Sequence, residues 1–121
     1  MRVAGFGFRA AATTTSLHAA LDMARGAWPV THLATLIDKA PALADLAVQL
    51  GLPVIALAPD QLVGLRTLTH SIPSQTARGI GSVAEACALA ACYGRDAHLL
   101  GPRVLSQDRM ATCAIAQGVC P

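Results

Sequence analysis

Short uninterrupted apolar runs alternate along this chain with stretches whose apolar positions recur at three- and four-residue spacing, the pattern of buried strands separated by amphipathic helices. Arg2 to Phe8, with Val3 among flanking apolar residues, predicts a short buried strand running into Gly5-Phe6-Gly7. The small and hydroxylated residues Ala10 to Thr15 predict a turn. Leu17-His18-Ala19-Ala20-Leu21-Asp22-Met23-Ala24 then predicts a helix capped by Thr14, Thr15 or Ser16 and ended by Gly26. After Trp28-Pro29, the run His32 to Ile37 predicts a second strand that stops at Asp38-Lys39. Pro41 is expected as the first residue of a helix reaching Leu50, with Gly51 closing it.

Leu52 to Leu57 predicts a third strand, followed by a short helix from Pro59. Residues Thr67 to Gly81 form the longest irregular segment, a length that in small domains is often functional. Ser82 to Ala91 predicts an apolar helix ending near Gly94. His98 to Gly101 and Met110 to Ala116 predict two last strands, joined as a hairpin by the polar link Ser106-Gln107-Asp108. The order gives an α/β fold: a single three-layer α/β/α domain over residues 1–121, with a mainly parallel sheet and an antiparallel edge hairpin.

Composition adjusts this picture. At 121 residues and 54% apolar content, the chain can bury a core without disulfide or metal support. That core is rich in alanine and poor in aromatic rings, which favours closely approaching layers. No apolar run reaches the roughly 18 residues that a bilayer crossing needs, and the N-terminus lacks a cleavable signal pattern, so a cytoplasmic protein is expected. The formal charge of +2 is spread over nine cations without a run, which leaves no electrostatic footprint for nucleic acid. The four cysteines lack C-x-x-C spacing and ligand-like histidine neighbours, so no metal site is expected, and Cys87 and Cys92 read as small buried apolar residues.

The candidate chemistry gathers around Arg78-Gly79-Ile80-Gly81-Ser82-Val83-Ala84-Glu85. Ser82 with Glu85 three residues on is a capping box, and a helix beginning at Ser82 presents exposed amides and a partial positive charge to an anion, with Arg78 just ahead. Glu85 is the only glutamate of the chain. It either caps its own helix or serves as a base or ligand-orienting group. In an open parallel sheet ligands bind beyond the carboxyl ends of the strands. Here those ends are Gly5 to Arg9, Asp38-Lys39 and Ala58 to Asp60, so Arg9, Lys39 and Arg78 are expected around one crevice, with Gly5, Gly7, Gly81 and Ser82 supplying backbone close to a ligand. Lys39, the only lysine against eight arginines, lies beside Asp38, and the pair joins Glu85 as the candidate catalytic set.

Gly5-x-Gly7-x-x-Ala10 with an acid after the second strand also matches a dinucleotide fingerprint in outline, although Asp38 falls later than the usual ~20 residues. There is no P-loop and no G-x-S-x-G elbow. A small nucleotide-binding domain using Gly5 and Gly7 is therefore one functional alternative.

The succession Gly5-Phe6-Gly7-Phe8-Arg9, Leu33 to Lys39, Pro73-Ser74 with Gly81 to Ala86, and Leu99-Leu100-Gly101-Pro102-Arg103 with Ala114-Ile115-Ala116 resembles the cobalamin-biosynthesis family of CobE and the C-terminal domain of CbiG. It spans essentially the whole chain. Phe8 stands where that family often has cysteine, and Arg103 where it often has lysine. The resemblance implies a cobalamin (vitamin B12) biosynthesis protein of the aerobic route that binds a precorrin-type tetrapyrrole, needs no cofactor and works beside other enzymes of the pathway. It also raises lactone-opening hydrolysis, the activity of CbiG, and a noncatalytic carrier of a corrin intermediate. A macrocycle with many acetate and propionate arms asks for several cations and helix N-termini around an open crevice.

Overall fold

The structure is a computed structural model, and it describes residues 1–62, 83–92 and 97–118. Its first strand, β1 (Arg2–Phe8), is central because Val3, Ala4, Gly5 and Phe6 are all buried, so both faces of the strand are covered. On one side it pairs parallel with β2 (His32–Leu36), which pairs parallel with β3 (Val54–Leu57). On the other side it pairs antiparallel along its whole length with β6 (Ala111–Gln117), from Arg2 opposite Gln117 to Phe8 opposite Ala111. The short strands β4 (His98–Leu99) and β5 (Val104–Leu105) both pair antiparallel with β6, which gives the order β3-β2-β1-β6-β4 with β5 also on β6.

Alternation along β1 sends Ala4 and Phe6 to one face and Val3 to the other. The first face packs on α1 (Thr14–Arg25) through Leu17 and Leu21, on α2 (Ala44–Leu50) through Leu46, and on Leu43 just ahead of α2. The second packs on α3 (Val83–Ala91) through Ala86, Cys87, Ala88 and Ala91, with Leu36 and Leu57 beside them. This is the three-layer α/β arrangement that the order of elements implies. Its alanine content has a geometric use: a Cβ built on Gly5 would lie 2.1 Å from the Ala84 carbonyl oxygen and 2.5 Å from the Ala88 nitrogen, so α3 rests directly on the backbone of β1.

Several boundaries differ from the sequence reading. The cap of α1 is Thr13, one residue ahead of the predicted candidates, because Ser16 is the third helical residue and completes a box with it. The Thr13 hydroxyl accepts from the Ser16 amide at 3.2 Å, and the Ser16 hydroxyl accepts from the Thr13 amide at 3.3 Å. The helix predicted from Pro41 is divided into a 3₁₀ turn over Ala40–Leu43 and then α2. Neither start has a side-chain cap, so the first turn tightens to i→i+3 bonds.

Gly51 does close α2, in the left-handed region at φ 67°. The third strand begins only at Val54, since the Leu52 amide is used by Ala47 in that helix ending and Pro53 has no amide to give. In the hairpin, the strand closed by the Ser106–Asp108 turn is β5, separated from β4 by Gly101-Pro102, and β6 is long enough to hold both. Among the described residues no helix is long and apolar enough to cross a membrane.

Candidate functional site

Because β1, β2 and β3 are parallel, the chain leaves all three on one rim, and the antiparallel β6 enters the sheet there. The start of α3 reaches the same rim: a Cβ on Gly7 would lie 3.4 Å from the Val83 Cβ and 3.6 Å from the Ala84 nitrogen. Between these elements opens a cavity of about 270 Å³. Gly7, Phe8 and Arg9 form its side at the end of β1, Val83 its side at α3, and the β5–β6 hairpin the rest, with Arg103, Leu105, Arg109, Met110 and Thr112. Three arginines thus border one opening whose remaining described walls are largely apolar, and among the described residues that line it there is no carboxylate.

The floor is tied across β1 and β6, where the Thr112 hydroxyl donates to the Gly7 carbonyl at 2.9 Å. A Cβ on Gly7 would stand 3.0 Å from that hydroxyl, so glycine keeps the floor open. The backbone of Arg9 is fixed by its amide donating to the Met110 carbonyl at 2.9 Å. Arg109 lies at φ 61°, the left-handed region that arginine seldom adopts, and its amide donates to the Ser106 carbonyl at 2.9 Å. Beside it Asp108 accepts from the hydroxyls of Ser106 and Ser16 and from the Met110 amide, and these donors, the Ser106 hydroxyl foremost, hold its carboxyl below the usual range.

The predicted site residues separate into distinct places. Gly7 and Arg9 line the cavity. Lys39 is not among the residues that line it, but its Nζ is 5.4 Å from the centroid of the Phe8 ring, a cation–π contact with a lining residue. Asp38, in the same turn, is exposed. Gly5 is buried beneath α3, where close packing uses it fully. Glu85 lies in the first turn of α3 at 0% exposure. Arg78, Gly81 and Ser82 lie outside the described residues, and with them the predicted cap and the whole of the Thr67 to Gly81 segment. The dinucleotide outline is corrected: Gly5 and Gly7 are inside β1, and the helix that should follow them directly begins only at Thr14, so neither of these two glycines makes a turn at that helix's N-terminus.

Sequence reasoning missed Arg109 and Thr112, and met Arg103 only within the resemblance. The available signal was that arginines stand on both sides of the polar link Ser106-Gln107-Asp108, which a hairpin would bring together at its turn. Cys87, Cys92 and Cys113 are buried, and burial pushes the Cys92 and Cys113 thiols up, so these two sulfurs stay protonated and serve as packing atoms. Among the described residues no three His, Cys, Asp or Glu side chains are gathered to hold a metal ion.

Residues 2–116 match the family described as Cobalamin synthesis G C-terminus. No curated protein sequence gives a match. Among solved structures the chain is similar to CobE, a protein from the cobalamin (vitamin B12) biosynthetic pathway, at 32% identity and a TM-score of 0.86, covering 98% of this chain and 91% of that one. It is also similar to the cobalamin biosynthesis protein chiG from Agrobacterium tumefaciens, at 33% identity and a TM-score of 0.73, covering 99% and 100% of the two chains. A cobalamin biosynthesis protein G homolog from Sulfolobus solfataricus shares the fold at 16% identity and a TM-score of 0.66, and there the match covers 95% of this chain but 36% of the longer one.

Proposed function

The chain belongs to the Cobalamin synthesis G C-terminus family and is a cobalamin-biosynthesis protein of the CobE and CbiG C-terminal type, and from that premise we propose that its rim binds a precorrin-type tetrapyrrole intermediate by the carboxylate arms. The observation that carries this reading is the convergence of Arg9, Arg103 and Arg109 on one cavity with apolar walls. Guanidinium groups recognise carboxylates through paired N–H donors, and a macrocycle presents several carboxylates around an apolar face. At about 270 Å³ the opening is below the roughly 300–1,000 Å³ of pockets that enclose drug-sized ligands. A tetrapyrrole therefore lies across the rim and inserts one edge, with Phe8, Leu105 and Met110 against the ring.

Binding, rather than turnover, is the activity these residues support best. Lactone opening needs a base or nucleophile beside the bound ring. Among the described residues the lining offers cations and the Thr112 hydroxyl, Glu85 is wholly buried, and Asp38 is not part of the lining. A carrier that holds an intermediate for other cobalamin-pathway enzymes in the cytoplasm is the form of the proposal that fits this chemistry.

Fluorescence titration with uroporphyrin, a stable tetrapyrrole bearing acetate and propionate arms, tests it. Each of Arg9→Ala, Arg103→Ala and Arg109→Ala is expected to weaken binding by about 1.5–3 kcal/mol, or about ten- to a hundredfold, the worth of a hydrogen bond to a charged group. Unchanged melting temperatures are expected for all three. Wild-type affinity in all three variants would overturn the reading. Incubation with a ring-contracted precorrin, followed by product analysis, is expected to return the ring unaltered.

A further inference from the structure

We infer that Asp108 is a positioning residue for the cavity: it clamps the β5–β6 turn to the first turn of α1 and thereby fixes Arg109 where it meets a ligand carboxylate. The inference rests on the reading of the cavity given above. Asp108 is itself exposed, yet both of its oxygens are taken by hydroxyls almost excluded from solvent, Ser16 at 3% exposure on Oδ2 and Ser106 at 2% on Oδ1. Oδ1 also accepts the Met110 amide at 3.1 Å. An aspartate that merely closed its own turn would need only the two local donors, Ser106 and Met110. The Ser16 bond is different in kind, since it crosses 92 positions of sequence to reach another element.

The chain of bonds continues at both ends. Ser16 is half of the capping box with Thr13, so its hydroxyl is oriented by the helix start, while the Ser106 oxygen accepts the Ala111 amide at 3.2 Å at the beginning of β6. Arg109 is held between Asp108 and Met110, in a backbone conformation that costs energy for any residue with a Cβ. Such a conformation persists where its neighbours over-determine it, and here the residue before it carries the carboxylate to which the residue after it donates its amide, with Ser106 on the same oxygen. The result is that the guanidinium is carried by a turn whose position is set from α1 as well as from β6.

Two readouts on the full chain test this. Hydrogen exchange at the Arg109 and Met110 amides, without ligand, is expected to quicken in Asp108→Ala and also in Ser16→Ala, which removes the long-range bond and leaves the turn sequence intact. With uroporphyrin, Asp108→Ala is expected to lose about tenfold in affinity, as a lost charged hydrogen bond would. The loss should vanish in an Arg109→Ala background and persist in full in an Arg103→Ala background, a coupling that a general structural role would not produce. Unchanged exchange in both variants, or losses that multiply in the Asp108→Ala, Arg109→Ala double variant, would overturn the inference. If Arg9→Ala, Arg103→Ala and Arg109→Ala all bind like wild type, the cavity reading fails and takes the role of Asp108 with it. If those three weaken binding while Asp108→Ala does not, only the role of Asp108 is lost.

Discussion

Glu85 and Arg109 are opposites at the level of single residues. Glu85 stands out in sequence as the only glutamate, three positions after a serine, yet its side chain is at 0% exposure and offers no carboxylate surface to the rim. Arg109 is unremarked among eight arginines, yet it lines the cavity from a turn in which its backbone is left-handed at φ 61°. A residue pattern can show a capping box, but it does not show which side chains a turn conformation will swing onto a site. Arg9 was readable because it follows directly on a strand end in a parallel sheet, where position alone decides the rim. Glu85→Gln is accordingly expected to lower the melting temperature while uroporphyrin affinity stays within about a factor of two, since a buried carboxylate contributes to the fold before it contributes to a ligand. A loss of roughly a hundredfold in binding or turnover at constant melting temperature would instead make Glu85 a functional group of the site.

At the level of elements, the tightest constraint is the contact between β1 and α3. Gly5 and Gly7 look alike in sequence, but the helix crosses them at different heights. At Gly5 an added Cβ would meet backbone atoms at 2.1 and 2.5 Å, which cannot move without displacing α3. At Gly7 the nearest atom, at 3.0 Å, is the Thr112 hydroxyl oxygen on a side chain. Gly5→Ala is therefore expected to cost about 3 kcal/mol or more of unfolding free energy in urea titration, and Gly7→Ala about 1 kcal/mol. Equal costs would contradict the packing described. The strands themselves were readable from apolar runs, β1 to the residue. Strand β5 was not, because two residues carry no period, and the 3₁₀ start of the second helical segment was not, because Pro41 is equally suited to either kind of first turn.

For the molecule as a whole, a formal charge of +2 says little, but its distribution says more, because Arg9, Arg103 and Arg109 share one opening. Their convergence is made by the pairing of β1 with β6, where Phe8 lies opposite Ala111, and no local pattern announces a contact between residues so far apart in sequence. The order of elements was enough to give the three layers and the rim of strand ends, and the placement of the hairpin against β1 was needed to complete the site. The central claim is that this rim, and no other surface, receives a tetrapyrrole. The molecule contains its own control, since a second cavity lies on the opposite layer between α1 and α2, lined by Thr14, Thr15, His18, Asp22 and Gln49. Amide chemical shifts of the ¹⁵N-labelled chain, followed while a ring-contracted precorrin is added, decide between the two places. The account predicts saturable shifts at Gly7, Phe8, Arg9, Arg103 and Arg109 to Thr112, with His18 and Gln49 unmoved. Shifts confined to Thr14, Thr15, His18 and Gln49, with the arginine rim silent, would contradict it.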